Sequence, residues 1–185
     1  MNRKTVVRPP AFVEKQTEDT LLGRAKRYVR QKDYVAALQM LGNGGHDPEV
    51  KNARGVCLLR MGRYTEALQF YRGMLLRSGC IVMRPELPTY LKANYATALL
   101  LIGQTEGCVQ TLTEANDDKS PIVMRLNQNL KRWEKGLTLG QWLLFKFGAL
   151  HSPHALVPID FLPGVFEDGL IEELPAGAAS PGGVQ

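Results

Sequence analysis

Cysteine is scarce in this chain and unpaired in pattern. Cys57, Cys80 and Cys108 are odd in number, widely spaced and without a C-x-x-C pair, which argues against a disulfide framework or a zinc site and fits a reducing compartment. Long apolar runs are also missing. Leu139 to Leu150, the most apolar later stretch, is interrupted by Lys146 and falls short of a bilayer span, and Met1 to Lys15 has basic residues but no apolar run of signal-peptide length. These absences predict a cytoplasmic protein with no membrane partner. Basic residues are absent from one end. Every Lys and Arg of the 23 lies at or before Lys146, whereas Asp160, Glu167, Asp168, Glu172 and Glu173 lie after it. That split favours a tail folding back onto a cationic body, or an acidic partner; two solvated surfaces that never meet are the plainer alternative.

The usual constellations of catalysis are lacking too. There is no Gly-rich loop ending in Gly-Lys-Ser/Thr, no H-E-x-x-H and no G-x-S-x-G. His151 and His154 form the only close histidine pair, with Ser152 and Pro153 between them and Asp160 as the nearest carboxylate, so they read as loop histidines rather than metal ligands. Cys57 and Cys108 fall at helical packing positions and read as core. The expectation is a chain that is not an enzyme, with no catalytic residues, no cofactor and no metal.

What is present is a repeat. Tyr34-Val35-Ala36-Ala37-Leu38-Gln39 returns thirty residues later as Tyr64-Thr65-Glu66-Ala67-Leu68-Gln69, with helical apolar spacing on both sides. In the second copy Gly55, Leu58, Gly62, Tyr64, Ala67 and Tyr71 have the spacing of a helix hairpin. Ala25, Tyr28, Tyr34, Ala37 and Leu41 hold the same places in the first copy, and Ala96, Leu99, Gly103, Cys108, Leu112 and Ala115 in a weaker third. Over about Glu18 to Lys135 the chain resembles the tetratricopeptide repeat family. The resemblance implies an all-α fold, an α-α superhelix in which about three hairpins stack as a right-handed solenoid closed by a capping helix, with irregular N- and C-terminal extensions. Small side chains at Gly55 and Ala67 let two helices approach, Tyr64 and Tyr71 fill the space between hairpins, and Gly62 ends a helix in the left-handed conformation.

Other local signals divide the chain further. Asp47-Pro48 and Ser120-Pro121 place a capping residue before a proline at a first helical position, and Pro88 plays a similar opening role. Between the second and third copies, Cys80, Ile81, Val82 and Met83 are apolar for a loop and are expected to cover a core edge. Ile122, Leu126, Leu130 and Trp133 give the terminal helix one apolar face. From Leu137 onward aromatics and prolines mix: Thr138 to Gly148 reads as one further short helix, Ala155 to Phe166 as an extended strip packed on the body. The expected organisation is an extended arm over 1–16 (including Thr5 to Phe12), a repeat domain with capping helix over 17–136, a packed tail over 137–174 and a disordered end over 175–185. The tail, from Gly140-Gln141-Trp142 to Pro158-Ile159-Asp160-Phe161-Leu162-Pro163-Gly164, is similar to the ends of small bacterial tetratricopeptide proteins, which implies a bacterial origin but no activity.

The resemblance implies that the first helix of each hairpin lines a concave protein-binding face, to which Lys26 and Arg30, then Asn52, Val56 and Arg60, then Tyr90, Asn94 and Thr97 are assigned. Their cationic, amide and aromatic groups suit a protein or peptide partner with carboxylates and backbone amides to satisfy. Some family members grip the carboxylates of chaperone tails with Lys, Asn and Arg. Here Leu22, Lys26, Tyr90 and Asn94 stand at such places, and Asn52 lies one position from the expected Asn at Ala53, so no chaperone cofactor is expected. The alternative is a structural or self-associating module whose C-terminal tail occupies the groove of its own or a neighbouring chain. Nucleic-acid binding is a remote third reading, resting on Arg24, Lys26, Arg27, Arg30 and Lys32.

Overall fold

A computed structural model describes residues 20–42, 47–77, 83–146 and 156–177. Among them are eight α-helices: α1 (Leu21–Arg30), α2 (Tyr34–Leu41), α3 (Pro48–Arg60), α4 (Tyr64–Leu75), α5 (Thr89–Leu101), α6 (Thr105–Ala115), α7 (Pro121–Lys135) and α8 (Leu139–Lys146). The chain is all-α, and the described residues add only two isolated antiparallel bridges, Leu76 with Met83 and Phe161 with Glu173. The arm at Thr5 to Phe12, Cys80 to Val82, His151, His154 and residues 178–185 lie outside the described residues. Two compact units divide the chain at Arg54 and Gly55, inside α3.

In the first unit α1 packs on α2. The Thr20 hydroxyl accepts from the Gly23 amide at 3.0 Å and the Asp33 carboxylate from the Ala36 amide at 3.0 Å, so each helix begins on a side-chain cap. Ala25, Val29, Ala37 and Leu41 form the buried stripe. Asp47 then opens α3 by accepting from Glu49 at 2.9 Å, with Pro48 at the first helical position.

In the second unit α5 packs against α4, α6 and α7, and its sequence shows why it sits at the centre. Ala and Leu surround the helix on all sides, so nearly every residue from Leu91 to Leu101 is buried, including Asn94 and Thr97. Lys92 is buried only because its ammonium reaches the Pro85 carbonyl at 3.1 Å. A Cβ built on Gly55 would overlap the Tyr71 ring, which is why the helix carries glycine there. Tyr71 thus lies over its own hairpin partner α3, while its side chain also hydrogen-bonds Asn94 of α5, so it packs both within and between hairpins. Burial pushes the Cys57 thiol up to about 11 and the Cys108 thiol to about 12, as expected of cysteines that act as small core residues.

The three hairpins turn in the same way. After α1, α3 and α5 the chain enters the left-handed region at Lys32 (φ 62°), Gly62 (φ 75°) and Gly103 (φ 82°). At each turn two amides reach back: Lys32 and Asp33 to the carbonyls of Val29 and Tyr28, Gly62 and Arg63 to Leu59 and Leu58, Gly103 and Gln104 to Leu100 and Leu99. These are paired Schellman bonds, and they bring the orphan carbonyls of one helix end into the start of the next helix. The third copy therefore has the repeat's turn although Thr105 and Cys108 replace Tyr and Ala. Ala25, Gly55 and Ala96 are equivalent in this frame, and Ala37, Ala67 and Cys108 are all fully buried.

Two local expectations need correcting. Pro88 is the cap residue preceding α5 rather than its first helical residue, and Ser120 makes no side-chain bond at the start of α7, where Pro121 alone marks the beginning. Met83 is buried beside Leu76, closing the insertion between the second and third copies, with the Arg84 amide on the Leu75 carbonyl at 2.8 Å. α7 buries Ile122, Leu126 and Leu130. α8 starts on a reciprocal cap, in which the Gln141 side chain accepts from the Thr138 amide at 2.9 Å and the Thr138 hydroxyl from the Gln141 amide at 3.3 Å. It is held to α7 by Phe145 edge-on to Trp133, ring centroids 5.1 Å apart, and by the Trp142 indole N–H on Glu134 at 3.2 Å. No helix among the described residues is long and apolar enough to cross a membrane.

Lys32 is the one turn of the three built without glycine. Replacing it, Lys32→Gly, removes the strain of a left-handed side chain and should stabilise the protein by about 1 kcal/mol. Gly62→Ala and Gly103→Ala should each cost about 1 kcal/mol or more. Urea denaturation of the three variants checks the order, and a Lys32→Gly midpoint below that of the wild type would contradict it.

Candidate functional site

Residues 156–174 form an irregular segment in which alternate side chains turn inward from Val157 to Phe161, and residues 163–166 are buried in succession. Val157, Ile159, Phe161 and Val165 are completely buried and Phe166 nearly so. Burying each such side chain contributes about 1.5–3 kcal/mol, so apolar contact supplies most of what holds this segment down. Its two ends meet at the Phe161–Glu173 bridge, where the Leu162 amide donates to the Glu172 carbonyl at 2.7 Å. The Gly169 amide closes the far turn on the Phe166 carbonyl at 2.9 Å.

Polar side chains from α3, α5 and α7 hold the segment's backbone and acids. Asn94, fully buried in α5, donates its amide to the Val165 carbonyl and accepts from the Val165 N–H, both at 2.8 Å. One side chain thereby satisfies both halves of a buried residue's backbone, groups that would each be costly to strand away from water. Arg60, at the end of α3 and with its side chain 1% exposed, donates to the carbonyls of Pro163 at 3.3 Å and Gly164 at 3.2 Å and pairs with Glu172 at 2.6 Å. A cation taken so far out of water requires such partners, and here every one of those three comes from the tail.

The tail's other anchor is Asp160. Its carboxylate takes hydrogen bonds from Arg125 at 2.9 Å, Asn129 at 3.0 Å and Arg132 at 2.6 Å, all on α7, and Arg125 also reaches Glu173 at 3.0 Å. Partial burial by itself raises the Asp160 carboxyl; the bonds from Arg132, Arg125 and Asn129 outweigh that and hold it down at about 2. Beside this cluster an open cleft of about 400 Å³ is lined by Asn129, Arg132, Trp133 and Ile159. Its charges neutralise one another.

Gly164 lies where the chain comes closest to α3. Its φ is +90°, and a Cβ there would sit 3.0 Å from Val56 Cγ1 and 3.2 Å from Val56 Cα. Both the backbone conformation and the lack of space demand glycine.

Of the residues assigned to the concave face, the structure brings Val56, Arg60 and Asn94 together beneath the tail. Thr97 is buried one turn further along α5 and donates to the Ala93 carbonyl of its own helix at 2.8 Å; Tyr90 is half-buried. Asn52, Lys26 and Arg30 belong to the first unit, where Asn52 is fully buried, Lys26 half-buried and Arg30 exposed together with Arg24 and Arg27. Arg125, Asn129, Arg132 and Asp160 were not singled out from the sequence as site residues. The signal was nonetheless present: positions 125, 129 and 132 recur at helical spacing on α7, and the only Asp within the apolar strip is Asp160. Among the described residues no group of three or more His, Cys, Asp or Glu side chains could hold a metal ion.

Two outcomes follow. Because the folded Asp160 carboxyl titrates below its ordinary value near 3.8, its contribution to docking is complete above about pH 4 and should fade as pH falls toward 2. Hydrogen exchange at the Val165 amide reads this directly, and Asp160→Asn should remove that part of the pH dependence. Asn94→Ala leaves the buried Val165 amide without its acceptor and should cost about 1–3 kcal/mol in urea denaturation; an unchanged midpoint would mean that the amide is not held as described.

No protein-family model, no curated protein and no solved structure matches this chain, so the functional reading rests on these residues alone.

Proposed function

We propose that this chain is a non-enzymatic protein-interaction module of the tetratricopeptide kind, which binds an extended peptide segment on the face formed by α3, α5 and α7. One observation carries the reading: Asn94 pairs with both backbone groups of Val165 while Arg60 takes the two preceding carbonyls. Side chains that bind backbone groups recognise a strand by its main chain and leave its side chains to neighbouring pockets. The face is rigid, because Asn94 is held from behind by Tyr71, itself locked between α3 and α5. A rigid surface with pre-placed donors loses little entropy on binding.

The complete burial of Val157, Ile159, Phe161 and Val165 favours a second reading as well. In it the tail is a permanent part of the core, of the same chain or of a neighbouring one in a self-associated form, and the module is structural.

Selection of peptides on the full-length protein from a random displayed library separates the two. Peptides that bind the proposed face must displace the tail and so abolish the hydrogen-exchange protection of the Val165 amide. If every selected peptide leaves that amide protected, the interaction lies elsewhere and the structural reading stands.

A further inference from the structure

Resting on that peptide-binding reading, we infer that the partner is an acidic extended peptide bearing a carboxylate four residues before a glycine and two apolar residues directly after it, and that the chain's own tail is its built-in competitor. The tail displays what the face selects. At position 160 three donors from α7 converge on one carboxylate, two of them guanidinium groups, so an uncharged or basic residue there leaves Arg125 and Arg132 facing each other without their shared counter-ion. At position 164 the approach of Val56 and the left-handed backbone admit only glycine. At 165 and 166 the side chains enter the core, whereas the backbone of 165 is read by Asn94 whatever its side chain. A second carboxylate, at 172, reaches Arg60.

Charge supports an acidic partner over any other occupant. All 23 cationic side chains lie at or before Lys146, the five carboxylates that follow it all lie within residues 156–174, and three of these, Asp160, Glu172 and Glu173, form ion pairs with the helices. Glu172 and Glu173 stay partly open to water, with 35% and 66% of their side chains exposed, so that end of the segment is the one an incoming peptide can invade first. A tethered segment competes at an effective concentration on the order of millimolar, which makes the tail a threshold that weak ligands do not pass.

The test uses the full-length protein and a labelled peptide copying residues 156–174, with Asp160→Lys and Gly164→Val versions of the peptide as comparisons. Binding is followed by anisotropy and by exchange of the protein's Val165 amide. The copied peptide should bind and release that amide; Asp160→Lys and Gly164→Val should each weaken it at least tenfold. A second protein carries a protease-cleavable sequence inserted within residues 147–155 and is cut after purification. Cutting removes the tether, and apparent affinity for the peptide should rise by roughly a hundredfold or more. Equal binding of all three peptides overturns the stated selectivity while leaving the peptide-binding face intact. A cut tail that neither dissociates on dilution nor exchanges with the peptide overturns both, since the segment is then a fixed part of the core.

Discussion

The second unit depends on a pair of reciprocal hydrogen bonds made in the absence of water. Asn94 sits at the middle of α5, a helix otherwise made of Ala and Leu, and its amide would be a liability there without a partner. Val165 supplies that partner with both of its backbone groups, which are themselves buried with its side chain. Each side is stable inside the protein because the other is present. Arg60 extends the same logic to a full charge: the cation is tolerable at the end of α3 because the tail brings two carbonyls and Glu172 to it.

Around this pair, packing and electrostatics divide the labour. Phe161, Ile159 and Val157 contribute the non-directional part of docking, which would accept many apolar sequences. Asp160 between Arg125 and Arg132, and Gly164 against Val56, set the register of the segment on the helices. A shift by one residue would lose the carboxylate, place a side chain against Val56 and turn Val157, Ile159 and Phe161 outward.

Much of the helical framework was legible because it is local. The hairpin turns follow from how a helix ends, and Gly62 and Gly103 announce them; Lys32 does not, since a lysine gives no sign that it adopts a left-handed backbone. Burial at Ala25, Ala37, Ala67, Leu41 and Tyr71 follows from their spacing on one helical face. The third hairpin was harder to see, with Thr105 and Cys108 in place of Tyr and Ala, yet both residues are small or compact enough to be buried at the same positions. Tyr71 also had a duty that spacing does not reveal. Its ring position follows from Gly55, whereas its bond to Asn94 depends on a helix more than twenty residues away.

From its own residues the sequence determined the helices, the turns at Gly62 and Gly103, the all-α class and the presence of an apolar, acidic tail, because each of these follows from neighbours within a few positions along the chain. Which groups that tail meets was decided only in three dimensions. Asn94 and Val165 are 71 positions apart and Arg60 and Glu172 are 112 apart, and no periodicity couples residues so distant. Hydrogen bonds depend on direction and distance in space, so those pairings exist only once the helices have set the donors in place.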